Sequence, residues 1–329
     1  MSILAAATSR ADFYTVGTTA AITTAAKIAP YAKEGITITG DTSYARFLFP
    51  SAMSEGWIQF HVNFNTSVGG SSAEKMLRLK SGETGQVLFQ IEFDGVAGQA
   101  LEYWNGSAFV EVSEATTFSA ARFKVDVQFK MDNSAGYVRV YVNDALIHEM
   151  TGDTIFTAAT TLDTIELMTP NPSGLGNGEL NYSALIIADE DTRSMVFHQG
   201  QATANGANTA WTGAYADVTK LDRNDNTFIE SGAAAQLETY VMDDVHTDLA
   251  AYVPRAVILS TRTRRGATGP QNMQGVVRQS GSDFTTSNIA GINTAYGTRQ
   301  AVMNTNPATS AAWSIAEINA AEYGAKSVA

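Results

Sequence analysis

Four histidines, His61, His148, His198 and His246, are the residues best suited to proton transfer near neutral pH or to metal ligation. They lie far apart, and none stands at the i, i+4 or HExxH spacing that places two imidazoles on one helix face. Each therefore reads as a strand-face or surface histidine. Asp243-Asp244-Val245-His246-Thr247-Asp248 is the one run that gathers oxygen and imidazole ligands, which makes Asp243, Asp244 and Asp248 a candidate metal set. The EF-hand spacing is absent from it, and a polar turn between two strands explains the same residues.

Hydrolysis of a sugar linkage requires two carboxyl groups set roughly 5–9.5 Å apart. Glu111 and Glu114, three residues apart, fall on opposite faces of an ideal strand, whereas Glu92 and Asp94 share a face but run into an Asp94-Gly95 turn. No Gly-rich phosphate loop and no GxSxG elbow occurs where a strand meets a helix. With no cysteine, thiolate chemistry, disulfides and iron–sulfur clusters are excluded. No catalytic set and no cofactor is expected.

Two groups could bind rather than react. Tyr103, Trp104 and Asn105 could stack on and hydrogen-bond a sugar; a hairpin end covering the core is the plainer account of them. Arg262, Arg264 and Arg265 form the only dense basic patch. It reads either as a solvated loop or as a contact to an acidic surface such as a second copy of the chain, because guanidinium forks pair carboxylates.

The elements that carry these residues have period two. In Trp57 to Phe64 the apolar Ile58, Phe60, Val62 and Phe64 alternate with Gln59, His61 and Asn63, the pattern returns in 87–93, 123–129 and 138–142, and 163–168 and 182–188 supply two late strands. Asp94-Gly95, Asn105-Gly106, Asp132-Asn133 and Asn143-Asp144 punctuate the strands, and a Pro170 to Gly176 loop separates the last two. The stretch from Thr15 to Lys33 is expected to hold the first strand and its loop. Asp189-Glu190-Asp191-Thr192-Arg193 is a charged break, after which strands 237–241, 256–261 and 274–278 follow. The prediction is an all-β protein of two β-sandwich, jelly-roll-like domains, residues 1–192 and 193–329. Ser314-Ile315-Ala316-Glu317 is a capping box opening a short C-terminal helix through about Glu322, with Gly324 as its terminator.

Hydrophobic residues make up 44% of the 329 and charged residues only 16%, a balance that excludes a disordered chain. The net charge of −12 disfavours nucleic acid as a partner. No apolar run approaches the ~20 residues of a membrane span, and the N-terminal run has no basic flank and is too short for a signal peptide.

Tyr137 to Asp144, the Ile165-Glu166-Leu167 strand and Tyr182 to Thr192 together resemble the closing strands of concanavalin A-like or laminin G-like jelly rolls. The ending Ala188-Asp189-Glu190-Asp191-Thr192 resembles the variant found in virion proteins of tailed bacteriophages, over roughly residues 10–192. Trp211 to Val218, Ala256 to Leu259, Val276 to Gly281 and Asn306 to Ala320 resemble a domain that follows it in phage structural proteins. The resemblance implies a non-enzymatic virion protein, assembled in the host cytoplasm as a homo-oligomer, by family analogy a trimer. Its partners would be other virion proteins and a host-surface glycan. A tail fibre or spike adhesin is the first expectation; a head decoration protein, or a bacterial lectin or carbohydrate-active enzyme, is the alternative.

Overall fold

The computed structural model describes residues 2–8, 10–16, 22–26, 28–39, 44–64, 74–82, 85–94, 98–115, 122–168, 179–219, 225–289 and 292–329. The chain divides into two units, Ile3–Phe197 and His198–Ala329. Strands of the first are β1 (Ile3–Ala7), β2 (Tyr14–Val16), β3 (Ile22–Ala26), β4 (Glu34–Thr39), β5 (Tyr44–Met53), β6 (Glu55–Phe64), β7 (Glu74–Lys80), β8 (Val87–Asp94), β9 (Gly98–Trp104), β10 (Phe109–Ala115), β11 (Arg122–Lys130), β12 (Gly136–Val142), β13 (Ala145–Gly152), β14 (Leu162–Met168) and β15 (Glu179–Ala188).

They form two antiparallel sheets. The eight-stranded sheet runs β13-β12-β11-β6-β15-β4-β3, with β1 also paired to β15, and the seven-stranded sheet runs β10-β9-β8-β7-β14-β5-β2. One apolar cluster joins them: Ile58, Phe60, Val62, Val125 and Val127 from the first sheet meet Phe47, Leu77, Leu79, Phe89, Ile91, Ile165 and Leu167 from the second. Alternation produces this, since every second side chain of each strand faces the other sheet. Tyr182 of β15 crosses the core, and its hydroxyl reaches the carbonyls of Met76 and Met168 in the opposite sheet. Turn chemistry agrees with the sequence: Asn143 and Asp144 both have positive φ, and the Asn105 side chain accepts from the backbone N–H of Ser107 and Ala108.

Ile3–Ala7 is itself a strand, paired with β15, so the first strand begins before the Thr15 to Lys33 stretch in which it was expected. A short run of mostly alanine carries little β signal, and pairing with a central strand overrides it. Gly95 and the Pro170 to Gly176 loop lie outside the described residues.

The second unit has a five-stranded antiparallel sheet of β16 (Ala202–Thr209), β17 (Leu237–Met242), β19 (Asn272–Gln279), β20 (Ser282–Ile289) and β22 (Glu322–Val328), ordered β16-β17-β22-β19-β20. The two-stranded ladder of β18 (Val257–Thr263) and β21 (Gly297–Met303) packs against it through Leu259, Ala301, Met273, Val277 and Tyr323. The architecture is all-β and sandwich-like, with two short helices, α1 (Tyr215–Val218) and α2 (Ile315–Ala320). Ser314 and Glu317 form the capping box of α2, the hydroxyl accepting from the Glu317 N–H and the carboxylate from the Ser314 N–H. The helix stops at Ala320, earlier than expected. Gly324 lies inside β22, where a Cβ would stand 1.8 Å from the Glu238 carbonyl, so the glycine permits strand contact and does not end the helix.

Candidate functional site

The seven-stranded sheet turns one face to the core and carries a polar row on the other. Arg46, Glu166, Arg78, Gln90, Glu102 and Glu111 are successive cross-strand partners through β5, β14, β7, β8, β9 and β10. Their strand neighbours Phe47, Ile165, Leu77, Phe89, Ile91 and Leu101 are all core, which fixes the row on the outer face. A bulge at Met76 adds Lys75: the register passes from Lys75↔Glu92 to Leu77↔Ile91, so Lys75 and Arg78 share a face despite an odd spacing.

Arg46, Lys80, Gln90, Glu92 and Glu166 are buried although they face away from the core, so each charge must be paired. Arg46 and Lys80 both donate to the same Glu166 oxygen at 3.0 Å. The Arg46 guanidinium also donates to the Tyr44 hydroxyl at 2.9 Å. Lys75 bridges Glu92 and Glu102, the latter at 3.5 Å. Burial pushes the Glu92 carboxyl up from its ordinary value, Lys75 pulls it back, and the Glu102 charge adds to the rise. Gln90 donates its amide to Glu102 at 2.5 Å and accepts from Arg78 Nε at 3.4 Å.

The structure separates the three residues expected to bind a glycan. Trp104 shares the parity of Glu102 and so lies on the outer face, where it meets its cross-strand partner Phe109 edge-on with ring centroids 5.1 Å apart. Tyr103 points the other way, packs against the core and stacks on Phe156 at 4.4 Å. Asn105 spends its side-chain oxygen on the turn that joins β9 to β10.

In the second unit, the Asp243 carboxylate accepts from the Gln201 N–H at 2.6 Å. His246 Nδ1 accepts from the Asp248 N–H and caps the short 3-10 turn Thr247–Leu249. Among the described residues no group of three or more His, Cys, Asp or Glu side chains could hold a metal ion. The Arg262 fork grips Asp225 of the same chain at 2.6 and 2.7 Å. Arg264 lies over the Tyr296 ring at 4.7 Å, and Arg265 donates to Gln271.

The remaining histidines do not converge. His148 Nδ1 hydrogen-bonds Ser113 Oγ at 2.8 Å, tying β13 of one sheet to β10 of the other, and burial lowers its pKa. His61 lies on the outer face of the eight-stranded sheet, where burial first, then the charges of Lys124 and Arg122, lowers its pKa to about 4.

The polar row was missed at the sequence level because its members come from six strands and only the pairing register aligns them. A signal was present: Arg46, Arg78, Gln90 and Glu166 each sit as a single polar residue between two apolar ones mid-strand.

No protein-family model matches the sequence, and no curated protein matches it. Solved structures similar to the chain include an endo-β-1,4-glucuronan lyase from the fungus Trichoderma reesei, 10% identical with TM-score 0.41, covering 51% of this chain and 87% of that one. A cellulose-induced protein is 11% identical with TM-score 0.40, covering 51% and 85%. A Trypanosoma rangeli sialidase is 13% identical with TM-score 0.35; the match covers 51% of this chain and 27% of that one.

Proposed function

We propose that the chain is a glycan-binding β-sandwich protein whose recognition surface is the outer face of the seven-stranded sheet, and that it serves as a tail-associated adhesin of a phage particle. The observation that carries the binding reading is the row of charged and amide side chains crossing six strands, flanked on the same face by Trp104 and Phe109. Fixed polar groups beside an aromatic ring suit a sugar, which presents hydroxyls at its edge and C–H groups on its face. The particle reading rests on the resemblance through Ala188 to Thr192.

Binding without turnover fits the carboxylates best. Glu92 and Glu102 converge on one Lys75 ammonium, and neither is left to stand across a glycosidic bond from the other. The same face keeps a free lectin or carbohydrate-active protein of bacterial origin as the second reading.

A glycan microarray probed with the wild-type chain and with Trp104→Ala tests the binding site. Capture of a defined glycan that weakens at least about 10-fold in the variant is expected. Equal capture by both proteins would remove this face from consideration. Immunogold labelling of intact particles tests the location: gold at the tail supports the adhesin, gold over the head makes the chain a decoration protein, and unlabelled particles leave the free lectin.

A further inference from the structure

Arg78 stands at the centre of the polar row, half-buried, yet it is the one cation of that row with no carboxylate partner among the described residues. Its neighbours are spoken for: Glu166 holds Arg46 and Lys80, and Glu102 holds Gln90 and Lys75. Four cations, Arg46, Lys75, Arg78 and Lys80, share this face with four carboxylates, Glu92, Glu102, Glu111 and Glu166, and the ion pairs leave Arg78 unspent.

The geometry is that of a prepared fork. Gln90 is 1% exposed and fixed by Glu102, so it offers Arg78 Nε a stationary acceptor and orients the guanidinium. No protein group takes the two terminal nitrogens of that guanidinium among the described residues, and parallel N–H groups of this kind match the two oxygens of a carboxylate. Trp104 lies on the same face, two residues along β9 from Glu102, as a surface on which a pyranose ring can rest.

We infer that Arg78 anchors the carboxylate of an acidic sugar, a uronic or a sialic acid, so that the face selects anionic over neutral glycans. This rests on the glycan-binding reading and narrows it to a ligand class. Arg46 and Lys80 serve the site indirectly: by neutralising Glu166 they keep its charge from claiming Arg78.

Titration calorimetry with three probes tests this: hexuronic acid oligosaccharides, sialylated oligosaccharides, and the hexuronic acid set after reduction of its carboxyls to alcohols. Binding of the first or the second identifies which acid is read. Carboxyl reduction of a bound hexuronate, or desialylation of a bound sialoside, should weaken affinity by about 10- to 100-fold, the loss expected when a charged hydrogen-bonded pair is removed. Arg78→Gln should weaken the acidic glycan equally, and Arg78→Lys should recover part of the loss as a point charge without the fork. The ligand-side comparison uses only the wild-type chain and decides the matter even if a substitution fails to fold. Equal affinity for acidic and neutral forms, or unchanged affinity in a folded Arg78→Gln, would overturn the inference. Binding confined to neutral glycans on the microarray would overturn it while leaving glycan binding intact; no binding to any glycan would remove both.

Discussion

The first unit has two polar outer faces built by the same alternation, and they end differently. On the eight-stranded sheet, Gln59 and Asp126 are fully buried beneath the chain that follows β15. Thr192 donates to Asp126 at 2.6 Å, Gln59 donates to Asp126 and to the Thr192 carbonyl, and Arg193 lies over the Tyr141 ring at 4.5 Å. Phe197 packs on Ala29, Ala32 and Ala184. This face is completed by its own chain, which gives the Asp189 to Arg193 break a structural duty. On the seven-stranded sheet the row holds at its centre a guanidinium with no acidic partner among the described residues. Period-two patterning makes a polar face; the supply of intrachain partners decides whether that face is closed by its own chain or keeps an unspent donor.

The largest expected effect breaks the closed face. Asp126→Ala removes the acceptor of Thr192 and Gln59 and the counter-charge of Lys124, and should cost about 3 kcal/mol in urea denaturation. Asp126→Asn keeps an acceptor, and burial already raises the Asp126 pKa, so it should cost far less. A loss as large for Asn as for Ala would make the charge itself the stabilising element.

His61 sharpens the comparison through pH. Its folded pKa of about 4 lies below the ordinary 6.5, so the unfolded chain takes the proton first as pH falls between those values. Stability due to His61 is full above pH ~6.5 and declines toward pH ~4, by up to about 3 kcal/mol. Against wild type, His61→Asn should flatten that decline; parallel curves would refute the assignment.

On the other face, Trp104→Ala should lower glycan affinity about 10-fold with little change in melting temperature, because the ring is not part of the core. The smallest effect belongs to the exposed Arg139–Glu149 pair of β12 and β13, where Glu149→Gln should shift stability by about 0.5 kcal/mol or less. A larger shift there would mean that the rim of the closed face is held by ion pairs as well as by its buried centre.

Much of the architecture was legible because alternation and turn chemistry are local. The strands at Trp57, Val87, Phe123 and Val138, the Asn143-Asp144 turn and the capping box at Ser314 all lie within windows of a few residues. Trp104 reads as an outward aromatic and does lie on the outer face, whereas Tyr103 and Asn105 were grouped with it only because they are adjacent in sequence; in a strand, adjacency means opposite faces. The row itself was not legible. Arg46 meets Glu166 across 120 residues and Lys80 meets it across 86, separations that only register can specify. The Met76 bulge hid Lys75 further, since ideal parity assigns Lys75 and Arg78 to opposite faces. Gly324 misled for a related reason: after a helix it signals a cap, and its close approach to Glu238 exists only once β17 and β22 pair.

The most direct test is a crystal structure of the chain with the glycan selected on the microarray. The account predicts a sugar on the outer face of the seven-stranded sheet, its ring against Trp104 and its polar groups at Arg78. A sugar bound over the eight-stranded sheet, or on the second unit with the seven-stranded face empty, would contradict it.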